Sequence, residues 1–214
     1  SVGAWRSCNK ALYKSIPATD IRKNWFIDEN LLSPNLTAEE QAYILSCNTG
    51  EDPIPPYTQV KFAAYNNEVY TDVNACDIPL IRIEEMYYIL AEAQAMGGDP
   101  AKGASTLNTF VQTYRNPSYS FAGGSATAVQ DEIWHQRRIE FIGEGLSWFD
   151  LKRLGKGIDR RGGGYDMTVV FNVAGSDNLM NYLIPQAEIE GNPQLSEADN
   201  NPAVTTPMPV ADVE

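Results

Sequence analysis

Residues 131–153 read DEIWHQRRIEFIGEGLSWFDLKR. The stretch holds an arginine pair, two glutamates four residues apart and a Trp-Phe-Asp run that ends in basic residues. Wound as a helix, it puts Arg137, Glu140 and Glu144 on one side, because positions three and four apart are neighbours. Ile133, Phe141 and Trp148 fall on or near that same side. A solvated helix would separate such charges from its large apolar groups. Two readings follow. Either Glu140 and Glu144 are a carboxylate pair for acid–base work, or they belong to a partly buried structural network. In the second reading Arg137 and Arg138 neutralise the two acids under Trp148, with Asp150 close by. The second weighs more, since arginines beside both acids hold them ionised and so poor as general acids.

Gly143 and Gly145 flank Glu144, and each costs a helix about 1 kcal/mol relative to Ala. That cost predicts a break and a second short helix over 146–153. Lys152 and Arg153 then lie at its C-terminal end, where cations are favoured. Gly155 and Gly157 end it.

Outward from this stretch, the surest helices lie upstream. Ile83, Met86, Tyr87, Leu90 and Ala91 recur at helical spacing. Gly97 and Gly98 stop that helix, and Asp99 caps the next with Pro100 at its first position. Ala104, Leu107, Val111 and Tyr114 give the second apolar stripe. The pair predicts a tetratricopeptide-like hairpin, with Ala91, Ala95 and Ala104 small enough for close packing. A shorter helix is predicted over 38–47, with Thr37 as cap and Glu40 as its reciprocal partner. The prolines of GEDPIPPYTQ forbid regular structure and leave Tyr57 exposed. Two short strands are predicted around Asn66-Asn67. The glycine-rich GKGIDRRGGGYD follows a helix and opens none, so it reads as a mobile loop and not a phosphate cradle. The fold class is mainly α: the hairpin, further helices, long loops and a few short strands.

The chain has 214 residues and a formal net charge of −12, from 16 basic and 28 acidic side chains. That balance argues against nucleic acid as a partner and against a basic membrane-surface patch. No run approaches the ~20 apolar residues of a membrane span. Cys8, Cys47 and Cys76 have no CxxC spacing and His135 is the single histidine, so no metal site or cofactor is predicted. One disulfide and one free thiol are possible, in any pairing.

QRRIEFIGEGLSWFDLKRLG resembles the signature segment of SusD/RagB outer-membrane nutrient-binding lipoproteins. Gln136 stands where that family usually has Glu, and Ser147 where it usually has Arg. Two further blocks resemble the family in the same order. One is DIPLIRIEEMYYILAEAQAMGG. The other is NYLIPQAEIEGNPQLSEADNNP, where Pro185, Glu188, Ile189, Asn192, Pro193, Leu195, Asn201 and Pro202 all match. Tyr13, Ile16, Pro17, Asp20 and Arg22 also match the family's segment before these helices, and Asp20 and Arg22 are read as pinning a loop. The resemblance implies a C-terminal portion of a longer protein. It divides this chain into a loop-rich, ligand-facing part (1–77), a helical region (78–202) and a flexible tail (203–214). It also implies a lipoprotein on the outer face of the outer membrane, anchored by a lipid upstream of this chain. Such a protein binds a glycan without catalysis and delivers it to a SusC-like TonB-dependent transporter. Sugar faces pack on aromatic rings while their hydroxyls take hydrogen bonds. The ligand candidates are therefore loop aromatics: Trp5, Trp25, Tyr57, Tyr65 and Tyr70. Two other classes compete. A helical-repeat adaptor would bind a protein through the hairpin, and a glycoside hydrolase would use Glu140 and Glu144.

Overall fold

The computed structural model describes residues 7–48, 53–62 and 79–213. Its α-helices, in order, are α1 (Lys10–Ser15), α2 (Ala38–Cys47), α3 (Ile83–Met96), α4 (Pro100–Tyr114), α5 (Ala126–Glu140), α6 (Ser147–Arg153) and α7 (Gln186–Gly191). Two short strands, β1 (Ile158–Asp159) and β2 (Asn172–Val173), pair antiparallel with Ile158 opposite Val173. The mainly helical class read from the sequence is the class of the fold. The chain forms two compact units, Ser1–Gly145 and Leu146–Glu214. Their division falls inside the 131–153 stretch, whereas the sequence reading divides the chain at 77/78 and 202/203.

The helix boundaries follow local chemistry. Thr37 Oγ1 accepts from Glu40 N at 3.2 Å, and Glu40 Oε2 accepts from Thr37 N at 2.8 Å, a complete capping box. Asp99 caps α4 by accepting from Lys102 N at 2.9 Å. Ser125 caps α5 in the same way. Gly98, with φ of 106°, turns the chain between α3 and α4.

Helices α3 and α4 run antiparallel. Thr106 Oγ1 reaches Gln94 Oε1 at 2.7 Å, and Tyr87 stacks on Phe110 with ring centres 4.9 Å apart. At the seam, a Cβ added to Gly103 would lie 2.6 Å from the Ala91 carbonyl oxygen and 2.8 Å from Ala95 Cβ. The inward face of α3 is therefore Tyr88, Ala91 and Ala95. This corrects the sequence reading. Of the predicted stripe, Ile83, Met86 and Leu90 face outward, Ile83 being 67% exposed, while Ala91 is buried and Tyr87 lies against Phe110. Both faces of α3 are apolar, and the close approach of α4 selects the smaller side chains. Helix α5 packs against this hairpin, and its Val129, Ile133 and Ile139 are buried.

Residues 57–60 form a strap between two segments. Cys8 N donates to Tyr57 O at 2.8 Å, Ile27 N to Thr58 O at 3.0 Å and Val60 N to Trp25 O at 2.7 Å. Around the strap sit two apolar clusters. One gathers Cys8, Leu12, Tyr13, Ile16, Phe26, Tyr57 and Ile139; the other gathers Ile27, Leu31, Ile44 and Ile54. Cys8 is a free thiol whose pKa burial pushes up to about 12. The Cys47 side chain, Cys76 and the strands expected around Asn66-Asn67 lie outside the described residues.

The second unit corrects the mobile-loop reading of GKGIDRRGGGYD. Ile158 and Asp159 are paired as β1, and Arg160 stacks over Phe171 and Tyr165, with its guanidinium 4.1 and 5.0 Å from the ring centres. Gly157 and Gly175 permit the approach, since a Cβ on either would collide with a backbone carbonyl of Val173 or Gly155. The end of the expected flexible tail is also tied down. Val210 N donates to Val170 O at 2.8 Å, and Asp212 accepts from Gly162 N. Among the described residues no helix is long and apolar enough to cross a membrane.

Candidate functional site

Glu140 closes α5, at the negative end of the helix dipole, where a carboxylate is disfavoured. It is also fully buried. Cations must offset both effects, and three arginines do. Arg115, capping the end of α4, donates from Nε to Oε2 at 2.8 Å and from Nη2 to Oε1 at 2.9 Å. Arg82, ahead of α3, donates to Oε1 at 3.1 Å, and Arg22 lies 3.5 Å from Oε2. Two contacts on each oxygen fill the acceptor capacity of a carboxylate. Burial alone would raise the pKa of Glu140, but the Arg115 hydrogen bonds and the charges of Arg115, Arg22 and Arg82 outweigh it and hold the pKa below its ordinary value.

Glu144 follows between Gly143 and Gly145, which both have positive φ (79° and 81°) and fold the chain back after α5. Arg82 grips both of its oxygens, Nε on Oε2 at 2.9 Å and Nη2 on Oε1 at 2.8 Å, and Lys61 pairs with Oε1 as well. Lys61 also donates to the Glu140 carbonyl at 2.7 Å and lies 4.9 Å from the Trp25 ring centre. Burial pushes the Lys61 pKa down, against the opposing pull of Glu144. At the inner end Arg22, fully buried, binds Asp20 through Nε at 3.0 Å and Nη2 at 2.6 Å. Arg22 also donates to Tyr88 Oη at 3.2 Å and Gln136 Oε1 at 2.6 Å. Gln136 in turn donates to Glu132, which also accepts from Tyr119 Oη at 2.7 Å. Glu84 accepts from Arg115 at 2.9 Å. Four cations, Arg22, Lys61, Arg82 and Arg115, thus face four carboxylates, Asp20, Glu84, Glu140 and Glu144.

The sequence reading gathers Arg137, Arg138, Glu140, Glu144, Trp148 and Asp150 into one network. The structure surrounds the two glutamates with cations from four remote segments. Arg137 is buried with its guanidinium 3.5 Å from Glu85 and 5.1 Å from the Phe141 ring centre. Arg138 lies 5.1 Å from the Trp134 ring centre. In the second unit Asp150 accepts from Arg153 at 2.8 Å, and Trp148 rests against Tyr182 with ring centres 5.1 Å apart. The missed residues are Lys61, Arg82, Arg115 and Tyr88. A carboxylate expected to be buried at a helix end is the signal that demands such cations, but it does not say from where.

Among the ligand candidates, Trp5, Tyr65 and Tyr70 lie outside the described residues. Tyr57 is not the exposed aromatic expected: it is 8% exposed. Its φ of 64° turns the ring onto Tyr13, 4.5 Å away, and its hydroxyl donates to Glu29 at 2.8 Å. Burial and Glu29 push its pKa up to about 12. Trp25 is half-buried between Lys61 and Arg115. The described residues hold no group of three His, Cys, Asp or Glu side chains placed to bind a metal.

The model of the SusD family matches residues 9–203. A SusD superfamily protein from Bacteroides thetaiotaomicron VPI-5482 has a similar structure, with a TM-score of 0.63 and 25% identity over 90% of this chain. A SusD-like carbohydrate binding protein from Bacteroides vulgatus ATCC 8482 gives a TM-score of 0.62 at 19% identity over 92% of this chain, a likeness of fold. This chain spans 39% and 42% of the length of those two proteins. No curated protein matches it.

Proposed function

The chain belongs to the SusD family, and from that premise we propose that it takes part in binding a nutrient glycan at the cell surface without cleaving it. The bound glycan is handed to a SusC-like TonB-dependent transporter. The observation that carries the non-catalytic part is the saturation of Glu140. A general acid must hold a proton and a general base must reach the substrate. Glu140 is held ionised, buried and filled by Arg22, Arg82 and Arg115. Glu144 is clasped by Arg82 and Lys61. The pair best placed by sequence for hydrolysis is thereby committed to the fold.

The ligand is assigned to aromatic platforms in the first 77 residues, with Trp5, Trp25, Tyr65 and Tyr70 as candidates. Attachment to the outer membrane is assigned to a lipid upstream of this chain, with the acidic surface kept in solvent. A glycan array probed with the intact protein, followed by a reducing-sugar assay on each glycan bound, tests the proposal. Binding without sugar release is expected. Release that Glu140→Gln abolishes while the protein stays folded would replace it with the hydrolase reading.

One observation favours a second reading, a helical-repeat adaptor. The outward stripe of α3, with Ile83, Met86 and Leu90 all exposed, is apolar enough to seat another helix. Capture of a protein partner through this face, with no glycan bound, would favour it.

A further inference from the structure

Tyr182 is 74% exposed, more than any other aromatic side chain among the described residues. Its ring is not loose. It leans on the half-buried Trp148 at 5.1 Å with an interplanar angle of 48°, and Trp148 projects from α6. The backbone beneath it is fixed. Asn201 Nδ2 donates to the Tyr182 carbonyl at 2.6 Å, Asn200 bonds both Ile184 N and Ile184 O, and Lys152 donates to Asn181 Oδ1 at 2.7 Å. A ring placed this way offers an open aromatic face whose position is already set.

The polar groups beside the ring are half used. Asn181 spends its carbonyl oxygen on Lys152 and keeps its amide N–H groups. Asn201 spends its amide on the chain and keeps its side-chain oxygen. The Tyr182 hydroxyl and the Trp148 indole N–H take no hydrogen bond among the described residues. Donors and acceptors therefore lie on the residues next to the exposed ring, Asn181 beside it in the chain and Asn201 on its backbone carbonyl. Pyranose sugars present the matching chemistry, an apolar C–H face for the ring and hydroxyls in the ring plane that both donate and accept. A phosphate would ask for more than the cation Lys152, which is already bonded to Asn181.

We infer that Tyr182 and Trp148, edged by Asn181 and Asn201, form a second glycan-stacking platform, in the C-terminal unit and separate from the loop aromatics of the first 77 residues. The inference rests on the glycan-binding reading above. Tyr182 stacks on one pyranose unit and the two asparagines select its hydroxyls. Two platforms on one protein favour a polymer or a long oligosaccharide, which can occupy both and gain from effective concentration.

The test uses the intact protein and whichever glycan the array identifies, titrated by calorimetry. Tyr182→Ala should weaken binding by roughly tenfold, the loss of one stacking contact, while Tyr182→Phe should keep it within about threefold. Tyr165→Ala, an aromatic of the same unit at 39% exposure, should leave affinity unchanged. Unchanged melting temperatures exclude unfolding as the cause, which the exposure of Tyr182 makes the expected outcome. If the unaltered protein binds a glycan and Tyr182→Ala binds it equally well, the platform is refuted and the glycan reading stands. If the unaltered protein binds nothing on the array, the glycan reading and the platform fall together.

Discussion

Arg115 holds Glu140 with two arms of its guanidinium, Nε on one carboxylate oxygen at 2.8 Å and Nη2 on the other at 2.9 Å. The bond joins the end of α4 to the end of α5, and Arg82 and Arg22 approach the same carboxylate from two other segments. Glu140→Gln keeps the shape and removes the charge, leaving four cations against the three carboxylates of Asp20, Glu84 and Glu144 and so one excess positive charge in the network. The expected loss is about 3 kcal/mol or more of unfolding free energy by chemical denaturation. Asp159→Asn removes a partner of comparable geometry, the Arg161 pair at 2.7 Å, but on the surface. It should cost about 1 kcal/mol at most. Equal losses would mean that the buried clasp has no special weight.

The same carboxylate gives a pH dependence. Its folded pKa lies below the unfolded value of about 4.3. A carboxylate shifted this way adds stability that is fully present above the unfolded pKa and is lost as pH falls through the folded one. The gap in melting temperature between the unaltered protein and Glu140→Gln should therefore be widest above about pH 5 and shrink toward acid. A gap constant down to pH 3 would show that the charge is not what the variant removes.

Gly143 and Gly145 make a matched pair. Both have φ near +80°, a conformation that strains any residue with a Cβ. Only Gly143 is also crowded: a Cβ there would lie 2.8 Å from Phe62 Cε2, whereas one at Gly145 meets nothing within 4 Å. Gly145→Ala should cost about 1 kcal/mol from the backbone alone. Gly143→Ala should cost at least about 1 kcal/mol more from overpacking. Adding Phe62→Leu to Gly143→Ala should return the excess and leave the backbone part.

Local signals carried most of the helical fold. The Thr37 box, the Asp99 cap and the two glycines at 97 and 98 set boundaries within a residue or two, because each acts on the backbone beside it. The site was less legible for a physical reason. Glu140 and Glu144 announce a buried charge pair, but Arg22 is 118 residues from Glu140 and Lys61 is 83 from Glu144. No spacing rule reaches so far. Tyr57 shows the same limit. Proline-rich sequence predicts an irregular backbone, and it is irregular, yet the positive φ that buries the ring is set by the strap around it. The pairing of β1 with β2 was missed because two-residue strands carry no periodicity.

The two faces of α3 supply the last prediction, since the predicted stripe takes Ala91 from the inner one and Ile83, Met86 and Leu90 from the outer one. Gly103 lies in α4, where Gly→Ala ordinarily gains about 1 kcal/mol in helix propensity. Here the added methyl would sit 2.6 Å from the Ala91 carbonyl oxygen, a backbone atom that cannot step aside without moving α3. Overpacking of this kind costs about 1–3 kcal/mol, so the sign should reverse and Gly103→Ala should destabilise. Leu90→Glu probes the opposite face. Leu90 is 49% exposed on the outward stripe, so a charge there should change stability by no more than about 1 kcal/mol. Melting curves of the two variants decide the orientation of α3. A stable Gly103→Ala together with an unfolded Leu90→Glu would turn the helix over, placing the stripe of Ile83, Met86 and Leu90 against α4 and Ala91 in solvent.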